Sequence, residues 1–292
     1  MSLRQIISLI IQNIKRGVIG LAAVALLGTS ASAQEPEPSD AIQPDRPDVT
    51  NGTRIVPTGI VQLEFGGLYS RTSPGATAAN SPLTVRVGLT EWIEARIGTD
   101  GVTTQNAGGS GATGLGNVQL AAKLRLWAEP GGVPVLSILP TINLPTADAS
   151  RGLGSGDADY TVAVLTGTDF LRRGHVDINY GLGAIGAGQG RPHFVQHLLS
   201  ASVSEAVTDR WNPYVELFWF SRNDMDGTSV TSLDTGVIYE LGSHFAIDGG
   251  VQFGITGPSA DFGAFGGLSM IVGGRRALNG RERKPARTAA PR

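Results

Sequence analysis

The chain has no cysteine, only four histidines and a charged fraction of 16%, well below the roughly 25% of an ordinary soluble domain. Without cysteine there is no disulfide framework, no thiolate zinc site, no cysteine nucleophile and no lipid attachment through an N-terminal cysteine. Long apolar runs are missing too. The clearest, Gly17 to Gly28, is twelve residues long, short of the roughly 20 that a helix needs to cross about 30 Å of hydrocarbon. What the chain has in quantity is glycine, 41 of 292 residues, scattered through stretches that alternate apolar and polar with a period of two.

Charge is placed unevenly. Residues 1–33 carry +3, residues 273–292 carry +6, and the body between them, 34–272, carries −11. A nucleic-acid surface would put a basic stripe on the folded body, so nucleic acid is not an expected partner. At the N-terminus, Lys15 and Arg16 precede the apolar run, which ends in Ala31-Ser32-Ala33 before Gln34. That is the layout of a secretory signal peptide with cleavage after Ala33. Residues 34–57 are acidic and Pro-rich, from Glu35-Pro36-Glu37-Pro38 to Pro44-Asp45-Arg46-Pro47-Asp48. They are too poor in apolar surface to fold alone and read as a periplasmic linker. Residues 58–272 read as one β domain, and 273–292 as a basic, solvated, disordered tail.

Within the β domain the alternation predicts twelve strands, near 60–70, 82–90, 92–98, 116–127, 133–143, 159–167, 176–184, 194–204, 213–220, 230–239, 244–254 and 262–272. Val118, Leu120, Ala122, Leu124 and Leu126 oppose Asn117, Gln119, Ala121, Lys123 and Arg125, and Phe245, Ile247, Val251 and Phe253 oppose Ala246, Asp248, Gly250 and Gln252. Alternation cannot say which face points inward, since a soluble sandwich and a membrane barrel share it. Connection length decides: long links at 71–81, 99–115, 144–158, 185–193 and 221–229 interleave with short or intermediate ones. Short turns at one rim and long loops at the other mark a closed, antiparallel, up-and-down transmembrane β-barrel. An even strand count puts both termini on the periplasmic side, and the outer-membrane lipid becomes the partner of the apolar face. Glycines within the strands, such as Gly66-Gly67 and Gly266-Gly267, suit the coiling that closure needs. Tyr69, Trp219, Tyr239 and Phe253 lie toward strand ends on the apolar parity, where aromatic girdles form.

On the polar parity lie Gln62, Glu64, Arg86, Glu94, Arg96, Lys123, Arg125, Asp177, Asn179, Glu216, Asp234, Asp248 and Gln252. These are the candidate lumen-lining residues. Their ten charges, six acids and four bases, are expected mostly to pair across strands, because a carboxylate left alone in a narrow lumen is costly. Catalytic and metal chemistry find little support, and no cofactor is expected. His193 and His197 share a strand face about 13 Å apart, too far for one zinc ion. His197 and Ser200 fall on opposite faces, no Gly-x-Ser-x-Gly elbow exists, and the glycine loops at 108–111 and 152–156 lack the lysine of a phosphate loop. Three functions stay open: a channel for small solutes, a structural barrel whose lumen is filled by its own side chains, and a lipid-modifying barrel enzyme.

The stretch Asp45-Arg46-Pro47-Asp48-Val49-Thr50-Asn51-Gly52-Thr53, with Val56-Pro57-Thr58-Gly59 and Gln62-Leu63-Glu64, resembles the outer-membrane transporters of the "MetA-pathway of phenol degradation" family. Gly88-Leu89-Thr90-Glu91-Trp92-Ile93-Glu94-Ala95-Arg96, the run from Leu139-Pro140 to Leu144-Pro145-Thr146, and Asp234-Thr235-Gly236 with Asp248-Gly249-Gly250 extend the likeness across about residues 43–272. The resemblance implies an outer-membrane barrel, inserted by the barrel-assembly machinery, that passes small solutes, aromatic ones among them. There is one departure. Such barrels often finish on an aromatic residue, whereas here Ile271-Val272 is followed by twenty more residues.

Overall fold

The structure, a computed structural model, describes residues 42–47, 49–127, 134–170 and 173–274. The signal peptide, residues 34–41 of the linker, the connection at 128–132 and nearly all of the basic tail lie outside these residues.

Fifteen strands follow in chain order: β1 (Val61–Thr72), β2 (Ala76–Asn80), β3 (Leu83–Gly88), β4 (Ile93–Thr99), β5 (Val102–Ala107), β6 (Ser110–Leu115), β7 (Val118–Trp127), β8 (Val135–Leu144), β9 (Asp159–Phe170), β10 (Gly174–Ile185), β11 (Phe194–Glu205), β12 (Trp211–Phe220), β13 (Val230–Gly242), β14 (Phe245–Gly254) and β15 (Phe262–Gly273). All pairings between them are antiparallel, and β15 returns to β1 over the register Val61↔Gly273 to Arg71↔Phe262. Twelve strands (β1, β3, β4 and β7 to β15) make the closed wall, matching the twelve read from the sequence. Many are 10 to 13 residues long, enough to cross a bilayer when tilted.

β2, β5 and β6 fall in stretches that the sequence presents as long links. They extend the sheet at the loop rim: β1 pairs with β3 through Val61–Phe65 and with β2 through Leu68–Thr72, and β5 and β6 continue outward from β2. Their sequences, ATAAN, VTTQNA and SGATGL, show no apolar alternation because they stand beyond the apolar band and neither face meets lipid.

The barrel is inverted relative to a soluble sandwich. Exposed side chains on its outside include Phe65, Ile97, Leu120, Leu199, Val215, Leu217 and Ile247, while Gln62, Glu64, Arg86, Glu94, Lys123, Asn179 and Glu216 are buried within. Strand β12 shows the switch at single-residue steps, with Val215 50% and Leu217 47% exposed on either side of a fully buried Glu216. Aromatics sit at both rims. Trp92, Trp127 and Trp211 are exposed at the short-turn rim, where the rings of Trp211 and Tyr239 meet tilted by 51° with centroids 4.7 Å apart. At the loop rim Tyr69 and Phe253 are exposed, and Phe253 meets Phe262 edge-on at 6.0 Å.

This inversion predicts opposite outcomes for neighbouring positions. A charge introduced at mid-strand on the outside, Leu217→Arg, should cost about 2–4 kcal/mol of folding free energy in bilayers. Guanidinium titration of vesicle-inserted protein measures it, with the same substitution at Val207, in the β11–β12 turn, expected to cost far less.

Candidate functional site

Residues 42–47 and 49–57 do not form a solvated arm. They lie inside the lumen, which corrects the linker reading for this stretch. Composition misleads here because the segment buries itself mainly through polar contacts. Ile42 donates its amide to the Ser243 carbonyl at the short-turn rim (2.7 Å). From Arg46 onward the chain follows the inner wall in reverse strand order: Arg46 reaches Asp248 on β14, Thr50 reaches Glu216 on β12, Asn51 reaches Asn179 on β10, and Thr53 reaches Ser137 on β8. The carbonyl of Arg54 then accepts from Lys123 on β7, the Val56 amide donates to Glu94 on β4, and Gly59 donates to the Gly88 carbonyl at the end of β3. The segment is thus one internal coil, continuous with β1 at its far end.

Asp45 fastens the coil. Its carboxylate contacts Lys123 Nζ at 2.6 Å, Arg86 at 3.4 Å and the Arg96 guanidinium. Around it Arg86 also binds Glu64 (2.7 Å) and Glu94 (2.8 Å), Arg96 Nε donates to Glu94 (2.6 Å), and Gln62 Nε2 donates to Glu64 (2.8 Å). Six of the residues named from sequence therefore gather on β1, β3, β4 and β7, as cross-strand pairing required. The seventh member of the cluster, Asp45, comes from outside the wall. Burial alone would push its carboxyl up, but Arg86, Lys123 and Arg96 override this and hold it far below the ordinary carboxylate range.

On the opposite wall the coil sets one cation, Arg46, on Asp248 and otherwise meets the wall with uncharged hydrogen-bond donors. Glu216 accepts from the Val49 amide at 3.0 Å and from both the amide and hydroxyl of Thr50 at 2.5 Å. Asn179 and Asn51 exchange side-chain and main-chain bonds at 2.7 and 2.9 Å. Asp234 sits opposite Glu216 in the β12–β13 register, and Gln252 sits opposite Asp234 on β14. Asp177 contacts His175 Nε2 at 3.1 Å, and Asp169 takes the other ring nitrogen. Arg125 stands half-buried near the short-turn rim, where its amide donates to the Trp92 carbonyl.

Two glycines on the closing seam clear space for Arg46. Gly66 and Gly267 are register partners between β1 and β15, and a Cβ on either would collide with the Arg46 guanidinium. Gly88 likewise leaves room for the Val56 and Pro57 carbonyls. Close approach of the coil, beyond wall curvature, accounts for these three. Sequence reasoning also passed over the short inward side chains Ser137, Ser200, Ser232 and Ser269, all buried, because serine marks no particular chemistry. The coil itself had a sign in the sequence: a polar motif whose acids and arginines lack neighbours of their own.

The coil bonds to both walls, and between it and the short-turn-rim portions of β9 to β13 a cavity of about 290 Å³ remains, lined by Asp45, Arg54, His175, Asp177, Tyr214 and Glu240 among others. The histidines are dispersed. His175 lines this cavity, His197 shares a hydrogen bond with the Tyr180 hydroxyl at 2.8 Å, and Ser200 is buried inward on the other face of β11.

Comparison with known proteins agrees with this geometry. The family described as "Putative MetA-pathway of phenol degradation" matches residues 44–270. The chain belongs to this family. Among solved structures, an outer-membrane channel from Pseudomonas putida F1 is similar at a TM-score of 0.62 and 13% identity, covering 79% of this chain and all of that one. The NanC porin is similar at a TM-score of 0.54 and 12% identity, covering 72% and 100%. No curated protein sequence matches. At these identities the likeness concerns fold: this family member has the architecture of outer-membrane channels, and the family's region begins inside the coil.

Substitution of Asp45 by Asn should unfasten the coil, because three buried cations would lose their shared partner, a change worth about 3–5 kcal/mol. Trypsin cleavage after Arg54 in the detergent-solubilised protein should accelerate at least about a hundredfold. The pH dependence follows from the sign of the shift. Asp45 contributes its full stabilisation above the ordinary carboxylate pKa near 3.9 and loses it as pH falls below that value toward the depressed one. A spin label at Arg54→Cys should therefore keep an immobilised spectrum from about pH 8 to about pH 4 and sharpen only in stronger acid.

Proposed function

We propose that this protein is an outer-membrane channel, exported by its signal peptide, that passes small solutes along a lumen constricted by its own N-terminal coil. The observation that carries the reading is the cavity of about 290 Å³ between the coil and the short-turn-rim portions of β9 to β13, because a lumen built only to be filled by its own side chains would leave no such space. The inward faces of the wall are mostly polar, with Leu139, Leu165 and Phe218 among them, and the polar groups give a hydrated solute hydrogen-bond partners. The family's description suggests aromatic compounds among the solutes. The lumen's mixed charge supports small polar or weakly polar ones generally.

A structural barrel with a self-filled lumen is the second reading, favoured by the number of wall groups that the coil satisfies, from Lys123 to Glu216. Planar-bilayer recording separates the two. The channel reading expects unitary steps from the intact protein and larger ones from Asp45→Asn, in which the coil is loosened. Silence from both proteins, with no flux of small aromatic solutes into proteoliposomes, overturns it.

A further inference from the structure

The lumen's charges are segregated by wall. Among the described residues, every Lys and Arg on the inward faces of the strands belongs to β3, β4 or β7: Arg86, Arg96, Lys123 and Arg125. Strands β9 to β15 contain no Lys or Arg at all. Yet β9, β10 and β12 to β14 direct Asp169, Asp177, Glu216, Asp234, Glu240 and Asp248 toward the lumen. The coil adds to the imbalance. Asp45 engages three of the four inward cations, and Glu64 and Glu94 share two of them. On the acidic wall the coil sets Arg46 on Asp248 (3.4 Å) and meets Glu216 with amides and a hydroxyl.

The cavity lies on this acidic side. Four cations line it, Arg46, Arg54, Arg173 and His175, and each has acidic company. Arg173, in the β9–β10 turn, pairs with Asp209 (3.2 Å), His175 is held between Asp169 and Asp177, and Arg54 of the coil lies within electrostatic reach of Asp169.

Two carboxylate oxygens on this wall are buried without a hydrogen-bond partner, Oδ1 of Asp234 and Oδ1 of Asp177. Asp234 is 4% exposed and stands in register beside Glu216, which is fully buried. Like charges directly opposed on neighbouring strands destabilise a sheet unless a proton or a cation joins them. Asp234 stands beside Glu216 on the neighbouring strand, and Asp177 lines the cavity toward the short-turn rim. A positively charged solute moving along this wall would meet one free carboxylate oxygen at the cavity and another beside Glu216, where the coil is bonded. An anion entering the cavity would meet Arg46, Arg54, Arg173 and His175, each already beside a carboxylate.

We infer that the acidic wall of the lumen, along β9 to β14, lines a path for small cations and organic amines, with Asp177 at the cavity and Asp234 beside Glu216 as its binding carboxylates, and that it disfavours anionic solutes. This rests on the channel reading and narrows it to a substrate class. The field is set by wall charges a few ångströms from the path, so it weakens as the Debye length falls from about 10 Å at 0.1 M salt to about 3 Å at 1 M.

Reversal potentials of the intact protein under a KCl gradient test it, together with proteoliposome flux of benzylammonium against benzoate. Expected are a cation-selective reversal potential that shrinks at 1 M salt, faster entry of benzylammonium, and a shift toward zero in Asp234→Asn with unitary steps retained. Asp45→Asn, which releases Arg86, Arg96 and Lys123, should also move selectivity toward anions. Unitary steps with a zero or anion-selective potential, or an unchanged potential in Asp234→Asn and Asp177→Asn alike, overturn the cation path and leave the channel standing. Absence of steps in the intact protein and in Asp45→Asn removes the channel and the path together.

Discussion

Lipid accepts no hydrogen bonds, so a sheet that crosses it can have no free edge. The rest of this molecule follows from that constraint. The wall closes only where β15 meets β1, at the two ends of the β domain, over the register Val61↔Gly273 to Arg71↔Phe262. Closure converts the period of two into an inside and an outside. It sends Leu217 to lipid and Glu216 to the interior one residue away, and it creates the enclosed polar space in which charges must find partners.

That space explains the coil. A lumen with Arg86, Arg96 and Lys123 on adjoining strands cannot be neutralised by Glu64 and Glu94 alone, and Asp45 supplies the missing carboxylate. The cost of ordering the segment is offset by contacts made in a low-dielectric interior, where a satisfied polar network is worth more than in water. Wall and coil also fit sterically. Gly66 and Gly267 face each other across the seam, and the Arg46 side chain occupies the room their missing Cβ atoms leave. The residues that close the barrel are also the ones that receive its contents.

Most of the wall was legible in the sequence because lipid imposes a strict alternation on every strand it touches. Leu120 against Lys123 or Ile247 against Asp248 can be read without coordinates. β2, β5 and β6 were not legible, since strands that rise above the apolar band alternate nothing. A run of small residues such as Ala76-Thr77-Ala78-Ala79 in β2 has the texture of a loop. The inward parity was correct for the buried lumen residues, but their partners could not be read from it. Arg86 and Lys123 could be assigned inward by parity, whereas Asp45 belongs to a Pro-rich acidic stretch whose composition resembles a linker's. Only three-dimensional proximity shows that a segment poor in apolar residues can still be buried when its partners are charges.

The coil's far end runs directly into β1 through Gly59 and Ile60, at the rim where Ile42 is also held. A tethered segment of this kind cannot diffuse away when it lets go. Its docking groups experience it at the roughly millimolar effective concentrations typical of short intramolecular links, so each release is followed by rapid recapture. How long it stays released is set by the segment's own contacts and not by any outside ligand.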